Sequence, residues 1–393
     1  MAKPEHEVAD IIQQFQEAYV RHYQPNGYVL KTFRALSLCR TAALGGHLDR
    51  CSDEACSAQR YSYNSCRNRH CSKCQAVQTA RWLEKMQAKV LPVAYFHVVF
   101  TLPQELNGLC LRYPKAMYDL LFRSAWLTIQ GFAGSTQYHQ LKTGMSAVLH
   151  TWGQQLMLHP HLHCILPAGG IEESGQWKAL KGNGKYLYPV QPMKRVYRAK
   201  FVAGLRRLEK EGLIEKQPQC LYDALFAQEW VVFAKRPFGG ADQVIEYLGR
   251  YTHKVAISNH RLVSLTDQLV SFRYKDYRQK GKQKIMTLKG EEFLRRFALH
   301  ILPKAMTKIR HFGLHSGALK GVQDQCYQQL AQQPRAVVEQ KNWKEVCRSK
   351  LNFNPDICPC CGKATMVTIQ QWRQGRSPPQ PEMTTRQAGI SFI

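Results

Sequence analysis

Acidic residues are scarce. The 393-residue chain carries 28 Asp and Glu against 55 Lys and Arg, a formal net charge of +27. Such an imbalance points to a polyanionic partner, DNA or RNA, with a merely solubilised or ribosome-associated basic protein as the plainer alternative. Long apolar runs are missing too. No stretch approaches the ~20 residues needed to cross a bilayer, so no membrane partner is expected. Met1-Ala2-Lys3-Pro4-Glu5-His6 opens into a polar amphipathic segment, which excludes a secretory signal and implies an intracellular protein. Thiols stay reduced inside a cell, so the 14 cysteines read as metal ligands rather than as a disulfide framework. There is no internal repeat, and the length allows two or three domains.

What is present begins with His159-Pro160-His161-Leu162-His163-Cys164. A strand over residues 161–166 would put His161 and His163 on one face, about 7 Å apart, with Leu162 and Cys164 on the other. Two such imidazoles can converge on one cation when a third group completes the site. Ile165 and Leu166 continue the apolar run until Pro167-Ala168-Gly169-Gly170 ends it.

Six of the cysteines lie between Cys39 and Cys74. With two histidines they make successive pairs: Cys39/His47, Cys51/Cys56, Cys66/His70 and Cys71/Cys74. Eight ligands suffice for two tetrahedral zinc sites. Joining the second pair to the fourth gives a four-cysteine ribbon, and joining the first to the third gives an interleaved site of two cysteines and two histidines. One zinc on Cys51, Cys56, Cys71 and Cys74, with the rest in a core, is the alternative. Either role is structural, because no ligand position stays open. Near the C-terminus Cys358 and Cys361 form a turn-type pair for a third zinc, with Cys326 and Cys347 as available but distant partners. Arg67, Arg69, Lys73 and Arg81 suit phosphate contacts, as does a basic helix expected at 193–211 with Lys194, Arg195 and Arg198.

Elsewhere the periodicity predicts a helix over residues 5–22, a linking helix over 75–89 and a buried strand over 93–102. A helix over 115–132 and strands over 147–152 and 230–234 follow, then a helix over 241–253, a hairpin over 261–274 and a helix over 291–301. The last eighty residues are polar, the final twenty expected to be disordered. On the 241–253 helix Tyr247 and Tyr251 stand one turn apart, with Arg250 beside them. A phenol with its ordinary pKa near 10 is a poor nucleophile unless a metal holds the phosphate it attacks. Val244 and Leu248 share that face, so a pair of core tyrosines is the plain reading of this helix taken alone.

These features together resemble the rolling-circle HUH transposases of bacterial insertion sequences, the type with two tyrosines. The matching stretches are Cys66-Arg67-Asn68-Arg69-His70-Cys71-Ser72-Lys73-Cys74-Gln75, Phe96 to Pro103, Leu149-His150-Thr151-Trp152-Gly153-Gln154, His159 to His163, Tyr247 to His260, and Phe272-Arg273-Tyr274-Lys275-Asp276-Tyr277. They run colinearly over residues 30–320. The resemblance implies an α+β fold: an antiparallel-sheet nuclease domain over 91–320, an N-terminal helix and zinc-binding domain over 1–90, and a C-terminal tail over 321–393. It makes His161-Leu162-His163 the HUH motif and Tyr247 and Tyr251 the nucleophiles. It implies Mg²⁺ or Mn²⁺ at the histidines, structural Zn²⁺ at the cysteines, single-stranded DNA at transposon ends as partner, and a cytoplasmic, nucleoid-associated location. The strands of His97 and His161 should be neighbours, which makes His97 the candidate third ligand, with His159 and His253 behind it. Three rivals stand beside this reading. A histidine-triad nucleotide hydrolase would use the same alternating histidines, a zinc-dependent DNA-binding regulator would need no chemistry, and a replication initiator would share the chemistry.

Overall fold

The computed structural model describes residues 4–87, 90–238, 243, 249, 255–331 and 341–373. Contacts group the chain into two compact units, each assembled from separated stretches. One comprises Met1–Ala80, Val255–Ile301 and Gln340–Ile393, and the other Arg81–Lys254 and Leu302–Glu339. The three consecutive domains expected from the sequence do not coincide with these units. Residues 255–301 join the N-terminal stretch, and so does most of the expected tail.

The second unit is built on a five-stranded sheet. Its order is Ile309–Gly313, Gly144–Trp152, Leu158–Pro167, Tyr95–Thr101, Val232–Phe238. Every neighbouring pair is antiparallel. The strand of paired histidines is therefore central and lies beside the strand of His97, as expected. Tyr95–Thr101 is β-branched and aromatic, which suits a strand buried on both faces. On one face Phe100 meets Tyr197 of helix Val190–Lys210 edge-on at 5.0 Å, and Tyr197 meets Trp230 at 5.1 Å. The opposite face carries the histidines. Helix Pro114–Ala133 begins with its proline in the first turn, where the missing N–H costs nothing.

In the first unit helices Val8–Tyr23, Gly27–Ser37 and Gly290–Ala298 share an aromatic core, with Phe33 and Phe297 rings 6.2 Å apart. Gly290 is required there, because a Cβ at that position would lie 2.2 Å from the Phe15 ring. Two three-stranded sheets complete the unit. One is ordered Met366–Trp372, Gly46–Cys51, Gln59–Tyr63, and the other Lys282–Lys289, Leu269–Asp276, Leu262–Leu265. The cysteine block is thus partly strand rather than loop. The expected hairpin is present and gains a third strand at Lys282–Lys289.

The helix expected over 241–253 falls almost wholly outside the described residues, as do the final twenty. Among the described residues no helix is long and apolar enough to cross a membrane.

Candidate functional site

Three imidazoles meet on one face of the five-stranded sheet. His150 stands directly opposite His161, and His163 opposite Val148, so the period of two turns all three side chains the same way. Their ligand nitrogens lie within 4.8 Å of one another. His150 and His163 are buried and His161 is half-buried.

Local hydrogen bonds decide which nitrogens face inward. His161 Nδ1 lies 2.7 Å from the His159 carbonyl and can only donate to it, leaving a lone pair on Nε2. His163 Nδ1 lies 2.9 Å from His97 Nε2. If His163 donates here, its Nε2 is likewise left as an acceptor, and His97 keeps its own proton on Nδ1. Burial pulls the His97 pKa down to about 4, with Lys235 adding to the effect, so His97 is neutral near pH 7. The Trp152 ring stacks on His150 at 4.5 Å and restrains it.

The third position expected for His97 is occupied by His150, and His97 stands behind His163 instead. His159 is exposed and outside the group, and His253 lies outside the described residues. His150 could have been found from the sequence only by fixing the register of strand 147–152 against the histidine strand. Three neutral imidazoles can hold a divalent cation, and as nitrogen donors they suit Mn²⁺ better than Mg²⁺, which favours oxygen ligands. The same face carries Ser146, whose hydroxyl lies 2.8 Å from both His311 Nδ1 and His315 Nδ1 and ties the edge strand to the sheet.

The cysteines gather into two groups of four, Cys39/Cys66/Cys71/Cys74 and Cys51/Cys56/Cys358/Cys361. Sulfur separations are 3.5 Å for Cys39–Cys71, 3.8 Å for Cys66–Cys74 and 3.7 Å for both Cys51–Cys361 and Cys56–Cys358. A tetrahedron of Zn–S bonds near 2.3 Å has edges of about 3.8 Å, whereas a disulfide would bring two sulfurs to about 2.05 Å. Both groups therefore fit zinc. In the first, the Cys66, Asn68 and Lys73 backbone N–H groups approach the Cys39, Cys66 and Cys71 sulfurs at 3.4 Å. Such bonds favour thiolates.

This arrangement corrects the expected pairings. Cys51 and Cys56 face Cys358 and Cys361, not Cys71 and Cys74. Cys39 and Cys66 face Cys71 and Cys74, not His47 and His70. His47 instead lies 3.5 Å from the Asp49 carboxylate, which also accepts from Arg60 at 3.0 Å and Thr368 at 2.7 Å. Cys326, a suggested partner of Cys358, is buried in an apolar cluster with Leu91, Ile171 and Leu314. Cys347 is likewise outside both groups.

Of the expected phosphate-contacting residues, Arg67, Arg81 and Arg195 are exposed and Arg69 is half-buried. Lys73 is paired with Glu7 and donates to the Cys39 carbonyl at 3.3 Å, so it braces the cysteine group. Lys194 pairs with Glu229 at 2.6 Å, and Arg198 donates to the Phe226 carbonyl at 2.8 Å. Tyr247, Arg250 and Tyr251 lie outside the described residues.

Comparison with known proteins supplies the context for this geometry. Residues 11–102 match the family described as "Transposase zinc-binding domain", and residues 144–322 match the one described as "Putative transposase". "Putative transposase y4qJ" of Sinorhizobium fredii (strain NBRC 101917 / NGR234) is 39% identical over 397 residues, covering 97% of this chain and 99% of that protein. The transposase for insertion sequence element IS801 of Pseudomonas savastanoi pv. phaseolicola is 27% identical over 352 residues, covering 86% of this chain and 83% of that protein. No solved structure matches. The chain therefore belongs to the insertion-sequence transposases of the IS91 and IS801 type, with their zinc-binding domain.

Proposed function

We propose that this transposase cuts and rejoins single-stranded DNA at the ends of its element through a 5′-phosphotyrosine. The observation that carries the reading is the convergence of His150, His161 and His163 within 4.8 Å on one sheet face. A divalent cation held by these residues would neutralise charge on the scissile phosphate. His161 and His163 would hold it with His150 completing the set, while His97 orients His163 through the Nδ1–Nε2 hydrogen bond. Tyr247 or Tyr251 loses its phenolic proton and attacks phosphorus. The bond from phosphorus to the 3′ oxygen breaks, and that oxygen leaves as a free 3′-OH once protonated. A second tyrosine four positions along the chain lets the enzyme make a second cut while still joined to the first DNA end. The two cysteine groups fix the surrounding backbone with zinc and take no part in the chemistry.

A replication initiator would share every step, and the full-length likeness to transposases favours the transposition reading. The test is an incubation with end-labelled single-stranded DNA spanning candidate element ends and Mn²⁺, followed by denaturing electrophoresis. The wild-type chain is expected to yield a protease-sensitive adduct that is lost in the Tyr247→Phe/Tyr251→Phe double variant. An adduct that survives both substitutions would move the nucleophile elsewhere, and histidine would be the next residue to examine.

A further inference from the structure

The hairpin strands Leu269–Asp276 and Lys282–Lys289 form eight consecutive antiparallel pairs, a ribbon about 27 Å long. The third strand, Leu262–Leu265, accompanies it only from Val270 to Phe272. Beyond Phe272 the ribbon is two-stranded, with Arg273 opposite Ile285 and Lys275 opposite Gln283. One face is anchored: Val270 and Phe272 are buried, and Phe272 meets Phe293 at 5.8 Å. The other face shows Arg273, Lys275, Gln283, Thr287 and Lys289 exposed, with Ile285 60% accessible, and Tyr277 in the connection between the strands is 72% accessible.

Residues 269–289 hold seven basic side chains and a single acid, Asp276. That acid pairs with Lys284 at 2.9 Å. Lysines on an edge strand ordinarily guard against edge-to-edge pairing. Beyond Phe272 both strands are edges, so that role extends to Arg273 and Lys275 as well, but it does not require charge of one sign, and every charged residue of 269–289 except Asp276 is basic. A merely solvated surface would also mix the two signs, and this one does not.

We infer that this ribbon, which belongs to the first unit whereas the histidines belong to the second, lies in the major groove of double-stranded DNA. The inference rests on the transposase reading. A two-stranded ribbon fits a groove about 12 Å wide, in which Arg and Lys reach guanine N7 and O6 or the flanking phosphates, and Thr and Ile meet thymine methyl groups.

The experiment compares the full-length chain with its Arg273→Ala/Lys275→Ala variant by fluorescence anisotropy, on a duplex and on one of its strands, across a salt series. Duplex affinity is expected to fall at least tenfold more than single-strand affinity, with the salt slope reduced by one to two. Methylation protection at guanine N7 should be lost with it. An equal fall on both substrates, unchanged N7 protection, or an equal fall on duplex RNA and heparin would overturn the groove assignment. A variant whose thermal melting differs from wild type is replaced by Arg273→Gln/Lys275→Gln, judged by the same criteria. The adduct assay on the wild type is the separate readout. An adduct with no duplex-specific loss sinks the ribbon alone, and duplex-specific loss with no adduct sinks the tyrosine chemistry alone.

Discussion

His163 Nδ1 is engaged by His97 Nε2 at 2.9 Å, which leaves His163 Nε2 as the nitrogen available to a metal. Hydrogen bonds of this kind fix the tautomer of a ligating imidazole and typically change metal affinity 10- to 100-fold when removed. His97→Phe is therefore expected to weaken Mn²⁺ binding by a factor in that range, measured by titration calorimetry on the full chain, and His163→Ala to abolish it. Unchanged affinity in His97→Phe would make His97 a core residue only. Mn²⁺ should also bind more tightly than Mg²⁺. His161 and His163 were legible in the sequence because a strand's alternation lies within one segment. His150 was not, because its place depends on which residue of another strand stands opposite.

At the scale of single elements, helix Gly290–Ala298 shows how local charge sets a pH response. Glu292 accepts from Arg295 Nε at 2.6 Å and Arg296 Nε at 2.7 Å. Arg295 does most to pull its pKa down, to about 2. A carboxyl with a folded pKa below its unfolded one stabilises the fold above pH ~4.5 and loses that contribution as the pH falls towards 2. Glu292→Gln is expected to cost about 1 kcal/mol at pH 7, since the pair is partly exposed, and little near pH 2. Chemical denaturation at both pH values measures it, and equal losses would point to packing rather than charge. Of the elements themselves, long periodic helices and the β-branched strand at Tyr95–Thr101 were legible. Lys282–Lys289 was not: its inward residues Met286 and Leu288 alternate with lysine, threonine and glutamine, which an edge strand tolerates and a loop also favours. Ile309–Gly313 was too short and polar to announce itself.

Across the whole molecule, spacing within the cysteine block picked out six of the eight grouped cysteines, but it added His47 and His70, which are in neither group, paired the cysteines differently and left Cys358 and Cys361 to a separate site. Short spacings show that two thiols can share an ion. Which pairs meet is set by strand pairing, here between Gly46–Cys51 and Met366–Trp372. A chain ended after residue 340 should therefore lose one of two zinc ions, by metal analysis of the purified protein, and expose Cys51 and Cys56 to alkylation. Retention of two ions per chain would rule out Cys358 and Cys361 as ligands.

The Cys56–Cys358 contact spans 302 positions. On a ribosome adding about 5–20 residues per second, the first pair of thiols waits about 15 to 60 s for the second to emerge. The Cys39 group, complete within one short segment, can take its metal almost as soon as that segment leaves the exit tunnel. The two zinc sites thus form at opposite ends of synthesis. The later one closes only on a chain translated past Cys361.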